Sequence, residues 1–269
     1  MSQQSLKQRR EAPPPMRAKF LAATPGLLFT LICATLVSCG GASANSSAGK
    51  TPSSSSSLSF QGAQYPYAVF VPSTYNPAHP MPAILLIHGS GSNGAYMLNL
   101  WQAFAEKKQA FAEKNKIILV APTLPLGAGF EAISPQVFEA LMELVKKQYS
   151  LDSHRIYLFG YSAGGYSTFY SAMFDSTYFA GAGVFAGIIT PDYFWILQRA
   201  QRKIPIALYI GDHDQYFSFA QTRATRDALL ANGFPVHYVE IANQDHNYPA
   251  IADKVNQDVW NYLRQYSLP

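Results

Sequence analysis

From residue 60 onward, short apolar runs alternate with longer stretches of helical pattern. Residues 65–71, 83–88, 116–121, 155–159, 182–186, 204–210 and 236–241 have strand length and are rich in Ile, Val, Leu and aromatic residues. Between them, 96–114, 135–149, 162–173, 193–202, 219–232 and 251–266 carry apolar positions at helical spacing. The strand runs are apolar throughout, as in AILLI at 83–87, which requires burial on both faces. Strand–helix alternation of this kind predicts an α/β fold: a mostly parallel central sheet with helices on both faces. The stretch 187–203 is too short for a large cap domain. A short echo, FAEKKQA followed by FAEKNKI at 104–117, repeats every seven residues within a helical pattern and does not make a repeat architecture.

The first sixty residues follow a different pattern. Lys7, Arg9, Arg10, Arg17 and Lys19 precede a largely apolar stretch at 20–37, and Ser38 and Cys39 close it. A basic start, an apolar middle and small residues at the end describe a secretory signal. Leu36-Val37-Ser38-Cys39 resembles the lipobox of bacterial lipoproteins. That resemblance implies cleavage before Cys39, a lipid on its thiol, and a signal peptide over 1–38. The competing reading is an uncleaved membrane anchor, which the length of the stretch permits but Pro25 and Gly26 oppose. Residues 39–59 then form a tether of Gly, Ala, Ser, Asn and Thr with a serine run at 53–57, unable to bury apolar area. The catalytic domain is expected over 60–269. Gly40 and Gly41 do not resemble an aspartate-type inner-membrane retention signal, so for a Gram-negative source the expected address is the outer membrane.

Composition changes this picture in two ways. The chain carries a formal charge of +4, but five of its twenty Lys and Arg and one of its sixteen Asp and Glu precede Cys39. The remainder is formally neutral, which gives no reason to expect nucleic acid as a partner. Of the two cysteines, Cys33 leaves with the leader and Cys39 takes the lipid, so the exported domain holds neither disulfide nor free thiol. The expected location is outside the cytoplasm, held to a membrane by the lipid anchor.

The chemistry centres on Gly160-Tyr161-Ser162-Ala163-Gly164. This G-x-S-x-G sits between a strand and a helix, where small flanking residues let a tight turn lift a serine hydroxyl above the sheet. The helix N-terminus behind it favours negative charge. A serine needs a general base. Of six histidines, His246 lies in a polar loop, NQDHNY, after the last strand and so at the carboxyl end of the sheet. His79, His154 and His237 lack that setting, and His213 is placed to line the site. The base needs an acceptor for its second ring nitrogen. Asp212 and Asp214, in the loop after the strand at 204–210, are both candidates. His88-Gly89-Ser90-Gly91 follows AILLI. Tyr96, Trp101, Tyr161 and Tyr248 lie near these motifs, where each is either pocket wall or core. HExxH, CxxC and phosphate-cradling glycine loops are missing from the sequence, so neither metal nor organic cofactor is expected.

These four pieces resemble an α/β-hydrolase serine esterase, close to the polyhydroxybutyrate depolymerase, feruloyl esterase and dienelactone-hydrolase-like groups, over nearly all of 60–269. The resemblance implies the α/β-hydrolase fold and a triad in the order Ser162, Asp214, His246. Its turn-and-acid pattern, G-x-x-D with an apolar residue three further on, selects Asp214 with Phe217, leaving Asp212 to hold the turn. The resemblance also places the oxyanion donors on the backbone N–H groups of Ser90 and Ala163, with His88 bracing the loop. One departure is that Ser90 stands where secreted depolymerase-like esterases often carry cysteine. The implied reaction is hydrolysis of a small-molecule or polymer-borne ester through an acyl-enzyme. Competing readings are a prolyl- or dipeptidyl-type peptidase, which shares the triad but carries a large accessory domain, and a non-catalytic surface lipoprotein that keeps the fold for binding.

Overall fold

The computed structural model describes residues 56–102, 114–125 and 134–269. The signal peptide at 1–38, Cys39, most of the tether and most of the echo at 104–117 lie outside the described residues. The described chain builds one eight-stranded sheet: β1 (Ser56–Phe60), β2 (Ala63–Phe70), β3 (Met81–Ile87), β4 (Ile118–Pro122), β5 (Leu151–Tyr161), β6 (Gly181–Phe185), β7 (Ile206–Gly211) and β8 (Val236–Ile241), in the spatial order β1-β2-β4-β3-β5-β6-β7-β8. β2 pairs antiparallel with both β1 and β4, and every pair from β4 to β8 is parallel. This is the mostly parallel sheet that the strand–helix alternation predicts, with an antiparallel pair of strands added at one edge.

The apolar runs alternate between two cores. Ala83, Leu85 and Ile87 of β3 face one, together with α2 (Gln136–Lys146), α3 (Ala163–Phe174) and α4 (Phe219–Ala231). Ile84 and Leu86 face the other, together with α1 (Gly94–Gln102) and α5 (Ala252–Leu263). Helices on both faces explain why the central strands are apolar without alternation.

Two expectations are corrected. The sheet starts at Ser56, not near residue 60, because β1 draws on part of the serine run. An edge strand needs only one covered face: Leu58 supplies the buried side chain, and the backbone pairs Ser56 to Phe60 with Tyr67 to Ala63. The helix expected at 193–202 is a 3-10 segment at Pro191–Arg199. Consecutive Ile196 and Leu197 are both buried while Trp195 is exposed, a pattern set by tertiary packing. Tyr193 meets Tyr166, and Trp195 meets Phe174, edge to face. Of the helix expected at 96–114, the described part is α1.

Candidate active site

Ser162 sits between the end of β5 and the first turn of α3 with φ 54° and ψ −118°, a left-handed conformation for a residue with a Cβ. Such backbone costs about 1–3 kcal/mol and persists only where its surroundings hold it. Here the Ser162 N–H donates to the Phe185 carbonyl at 2.9 Å, and Gly165 N–H donates to the Ser162 carbonyl at 2.8 Å. The flanking glycines are needed for space. A Cβ on Gly160 would lie 2.2 Å from the Gly164 carbonyl oxygen and from Thr168 Oγ1. A Cβ on Gly164 would lie 2.2 Å from the Ile87 carbonyl oxygen. The motif therefore allows α3 to start pressed against the ends of both β5 and β3.

The loop after β8 brings His246 over this turn. Its Nε2 lies 2.8 Å from Ser162 Oγ, and its Nδ1 lies 2.7 Å from Asp214 Oδ2. The imidazole is largely buried and the Asp214 carboxylate wholly so. Burial opposes charge on Asp214, but the His246 hydrogen bond and the N–H groups of Phe217 and Tyr216, each 2.9 Å from Oδ1, overcome it and hold the carboxyl below its usual range. Asp212 points elsewhere. It accepts from the Gln244 N–H at 3.1 Å, and amide hydrogen bonds from Asn243 and Gln244 lower its pKa. It fastens the loop that carries His246, while His213 N–H fastens the same loop through the Gln244 carbonyl at 2.9 Å.

Three rings surround the imidazole. Tyr161 lies 5.2 Å from it, and its hydroxyl donates to the His246 carbonyl at 2.7 Å. Burial, reinforced by neighbouring Asp214, Tyr96 and Tyr216, pushes that phenol up to about 12, so it stays a donor. Tyr216 stands edge-to-face at 4.7 Å, and Phe217 lies at 5.9 Å. Gln215 Oε1 accepts from the His246 N–H at 3.4 Å.

The turn after β3 runs against Ser162: a Cβ on Gly89 would come within 3.3 Å of Ser162 Cβ. Gly91 has φ 71°, and Ser92 N–H donates to the Gly89 carbonyl at 3.3 Å. His88 braces this turn. Its Nε2 accepts from the Leu124 N–H at 3.0 Å, so its proton sits on Nδ1 and donates to the Gly89 carbonyl at 2.7 Å. Burial lowers the His88 pKa despite that carbonyl, which keeps the ring neutral. Ala163 opens α3, whose first amides have no carbonyl partner within their own helix.

The structure thus brings Ser162, His246 and Asp214 into one hydrogen-bonded line, with the Ser90 turn and the Ala163 end of α3 beside the serine. Of the four nearby aromatic residues, Trp101 and Tyr248 are fully buried core, Tyr161 contacts His246, and Tyr96 is exposed. His237 lies in β8 with its Nε2 2.7 Å from Asp258. Sequence reasoning left out Gln215 and Tyr216. Their position directly after Asp214, in the loop that reaches His246, is the only signal the sequence offers for them.

Comparison with known proteins agrees with this architecture. A family model described as phospholipase/carboxylesterase matches residues 128–265, just over half of the chain. A bifunctional acetylxylan esterase/xylanase from Neocallimastix patriciarum is 25% identical over 243 residues, covering 77% of this chain and 34% of that protein. The chain therefore spans about a third of the length of this curated relative. Among solved structures, an S-formylglutathione hydrolase from Agrobacterium tumefaciens superposes with a TM-score of 0.63 at 17% identity, covering 77% of this chain and 93% of that one. A ferulic acid esterase from Anaeromyces mucronatus superposes with a TM-score of 0.60 at 15% identity, covering 74% and 88%. At these identities the two structures speak to the fold.

Proposed function

This chain belongs to the phospholipase/carboxylesterase family of α/β-hydrolases, and we propose that it is a serine hydrolase of carboxylic esters acting through an acyl-enzyme. The observation that carries this reading is the unbroken line Ser162 Oγ, His246 Nε2, His246 Nδ1 and Asp214 Oδ2, with both gaps under 3 Å. In the first step Ser162 Oγ attacks the ester carbon while His246 takes its proton. Asp214 fixes the imidazole tautomer and stabilises the imidazolium that forms. The Ser90 and Ala163 N–H groups receive the oxyanion, each worth a few kcal/mol in the transition state. His246 then protonates the departing alkoxide. In the second step it deprotonates water, which attacks the acyl carbon and releases the acid and free Ser162. The substrate is a small-molecule or polymer-borne ester.

The place of action we propose is outside the cytoplasm, on a lipid anchor through Cys39. The basic and apolar leader and the lipobox-like LVSC support this. Anchoring by more than one acyl chain is stable, whereas one chain holds only marginally.

Wild-type protein is expected to hydrolyse p-nitrophenyl acetate and to take a fluorophosphonate label on Ser162. Ser162→Ala should lose the label and at least about a thousandfold in kcat/KM. Full turnover in that variant would remove the nucleophile. In cells, incorporation of a palmitate analogue should vanish in Cys39→Ala, and persistent incorporation would refute the lipid anchor.

A further inference from the structure

The amino ends of β3, β4 and β5 lie on the rim of the sheet opposite Ser162, since these strands are parallel and Ser162 follows the carboxyl end of β5. A cleft of about 700 Å³ opens at that rim. It takes in Met81 at the start of β3, Lys116 two residues before β4, Arg155 in the first half of β5 and Arg264 at the C-cap of α5. Arg155 lies seven residues from Ser162 along extended chain, about 23 Å. The cleft is therefore separate from the hydrogen-bonded line at Ser162.

Charge sets this cleft apart. Lys114, Lys116, Arg155 and Arg264 line it together with His79, and no carboxylate lines it among the described residues. Asp152 stands nearby and holds Arg155: its Oδ2 accepts from Arg155 Nε at 2.6 Å, and its Oδ1 accepts from the His154 N–H at 2.9 Å. One acid thus positions one of the four cations and leaves positive charge in clear excess. Elsewhere Lys146, Arg223 and Arg226 pair with Glu143, Glu240 and Asp227, and Lys203 donates to the Leu197 carbonyl. Lys114, Lys116 and Arg264 are exposed and make no ion pair among the described residues.

The walls of the cleft are fixed by local structure. Lys116 has φ 56°, a left-handed conformation that glycine takes at lower cost. Its turn separates the helical residues 114–115 from β4 and lets Lys114 and Lys116 line one cleft. Before β3, the His79 N–H donates to the Asn76 carbonyl and the Ala78 N–H to Asn76 Oδ1, both at 2.9 Å. Trp260, buried and edge-to-face with Tyr157, adds an apolar patch. A single carboxylate would leave most of the positive charge unmatched. A phosphomonoester carries close to two negative charges at neutral pH and offers three strong acceptor oxygens, which suit several Lys and Arg donors at once.

We propose that this cleft is a second, non-catalytic site that binds a phosphomonoester, its oxygens received by Lys114, Lys116, Arg155 and Arg264. The phosphate belongs either to a free small molecule or to the headgroup of an anionic phospholipid, and the recognising chemistry is the same for both. The inference is independent of the serine-esterase reading.

The test uses Ser162→Ala protein, so that no lipid ester is turned over, with Lys116→Gly, Arg264→Gln or both added. Lys116→Gly removes a charge at a backbone position that glycine favours, so its Tm should not fall. Calorimetric titration with glycerol 3-phosphate reads the free ligand. Co-sedimentation with phosphatidylcholine vesicles, with and without phosphatidic acid, reads the headgroup. The difference between the two vesicles is the quantity compared, because an N-terminal lipid would hold to either. Each single variant should weaken binding about fivefold to tenfold and the double variant more, with binding falling as salt rises. In the Ser162 background both variants should keep the wild-type kcat/KM for p-nitrophenyl acetate. Loss of glycerol 3-phosphate binding in the variants identifies a free ligand, and loss of the phosphatidic acid preference alone identifies the headgroup; either supports the site. Three results overturn it: neither probe binding, undiminished binding in the double variant, or acetate binding as tightly as glycerol 3-phosphate.

Discussion

Asp214 keeps its carboxylate ionised where burial opposes the charge. Three donors make this possible: the His246 ring and the N–H groups of Tyr216 and Phe217. Because its folded pKa is depressed, this group adds stability that is fully present above its unfolded value near 4 and is lost as pH falls through the folded value. Asp212 also has a lowered pKa, but its partners are the amides of Asn243 and Gln244 and not the imidazole. Replacement by asparagine separates the two roles. Asp214→Asn should cost about 10³–10⁴ in kcat, since an amide no longer fixes the His246 tautomer. Asp212→Asn should cost less than about tenfold and act mainly through a lower Tm, since it loosens the loop. Measured kcat values in the reverse order would move the acid to Asp212. This pair also marks how far the sequence could be read. Two carboxylates two residues apart in one loop have equal standing until the backbone decides which reaches the imidazole; a family turn pattern, not spacing alone, pointed to Asp214. The serine and histidine were legible because one lies in a strand-to-helix motif and the other in a polar loop at the strand ends. The exposure of Tyr216 depends on loop conformation, which no periodicity records.

At the scale of elements, α3 ties chemistry at one end to strain at the other. Its N-terminus lies behind Ser162, where the helix dipole favours negative charge. Its C-terminal cap is Asp175, a carboxylate at the negative end of the same dipole. Asp175 is 9% exposed, and its Oδ2 has no hydrogen-bond partner among the described residues. Burial, with Glu139 nearby, raises its pKa to about 6. Here the sign is opposite to Asp214. The folded state holds the proton more tightly, so stability is highest below the unfolded pKa near 4, falls as pH rises to about 6, and is level above it. Asp175→Asn should therefore stabilise the protein at pH 8 by about 1–3 kcal/mol, with the gain vanishing near pH 4. Urea unfolding at the two pH values checks this. A loss of stability at pH 8 would show that the carboxylate is satisfied after all. The sequence announced α3 through its glycines and apolar positions, but not the cost at its cap. That cost arises from what packs over residue 175, a matter of tertiary burial.

At the scale of the whole molecule, the sequence made the parallel sheet legible because strands buried on both faces must be apolar throughout. The same logic hid β1, which lies at the edge, buries one side chain and otherwise reads as part of a serine-rich tether. Its contribution is to close the sheet. Without it, β2 would become the edge and present its unpaired backbone to solvent, with Tyr65 and Tyr67 losing the cover of Leu58. A chain begun at residue 50 should fold with full stability, whereas one begun at residue 61 should lose about 2–4 kcal/mol, from the burial of Leu58 and the strand pairing, and aggregate more readily. Activity provides the control. β1 lies four strands from β5 in the sheet order, roughly 19 Å at the usual strand spacing, so the Ser162 line does not rest on it. Whatever fraction of the shorter chain remains folded should keep its kcat per fluorophosphonate-labelled site, while its urea midpoint falls. Equal midpoints for the two chains would mean that the sheet is complete without β1. A fall in kcat per labelled site would mean that the edge strand reaches the active centre through the sheet, which the packing of two separate cores around β3 and β5 argues against.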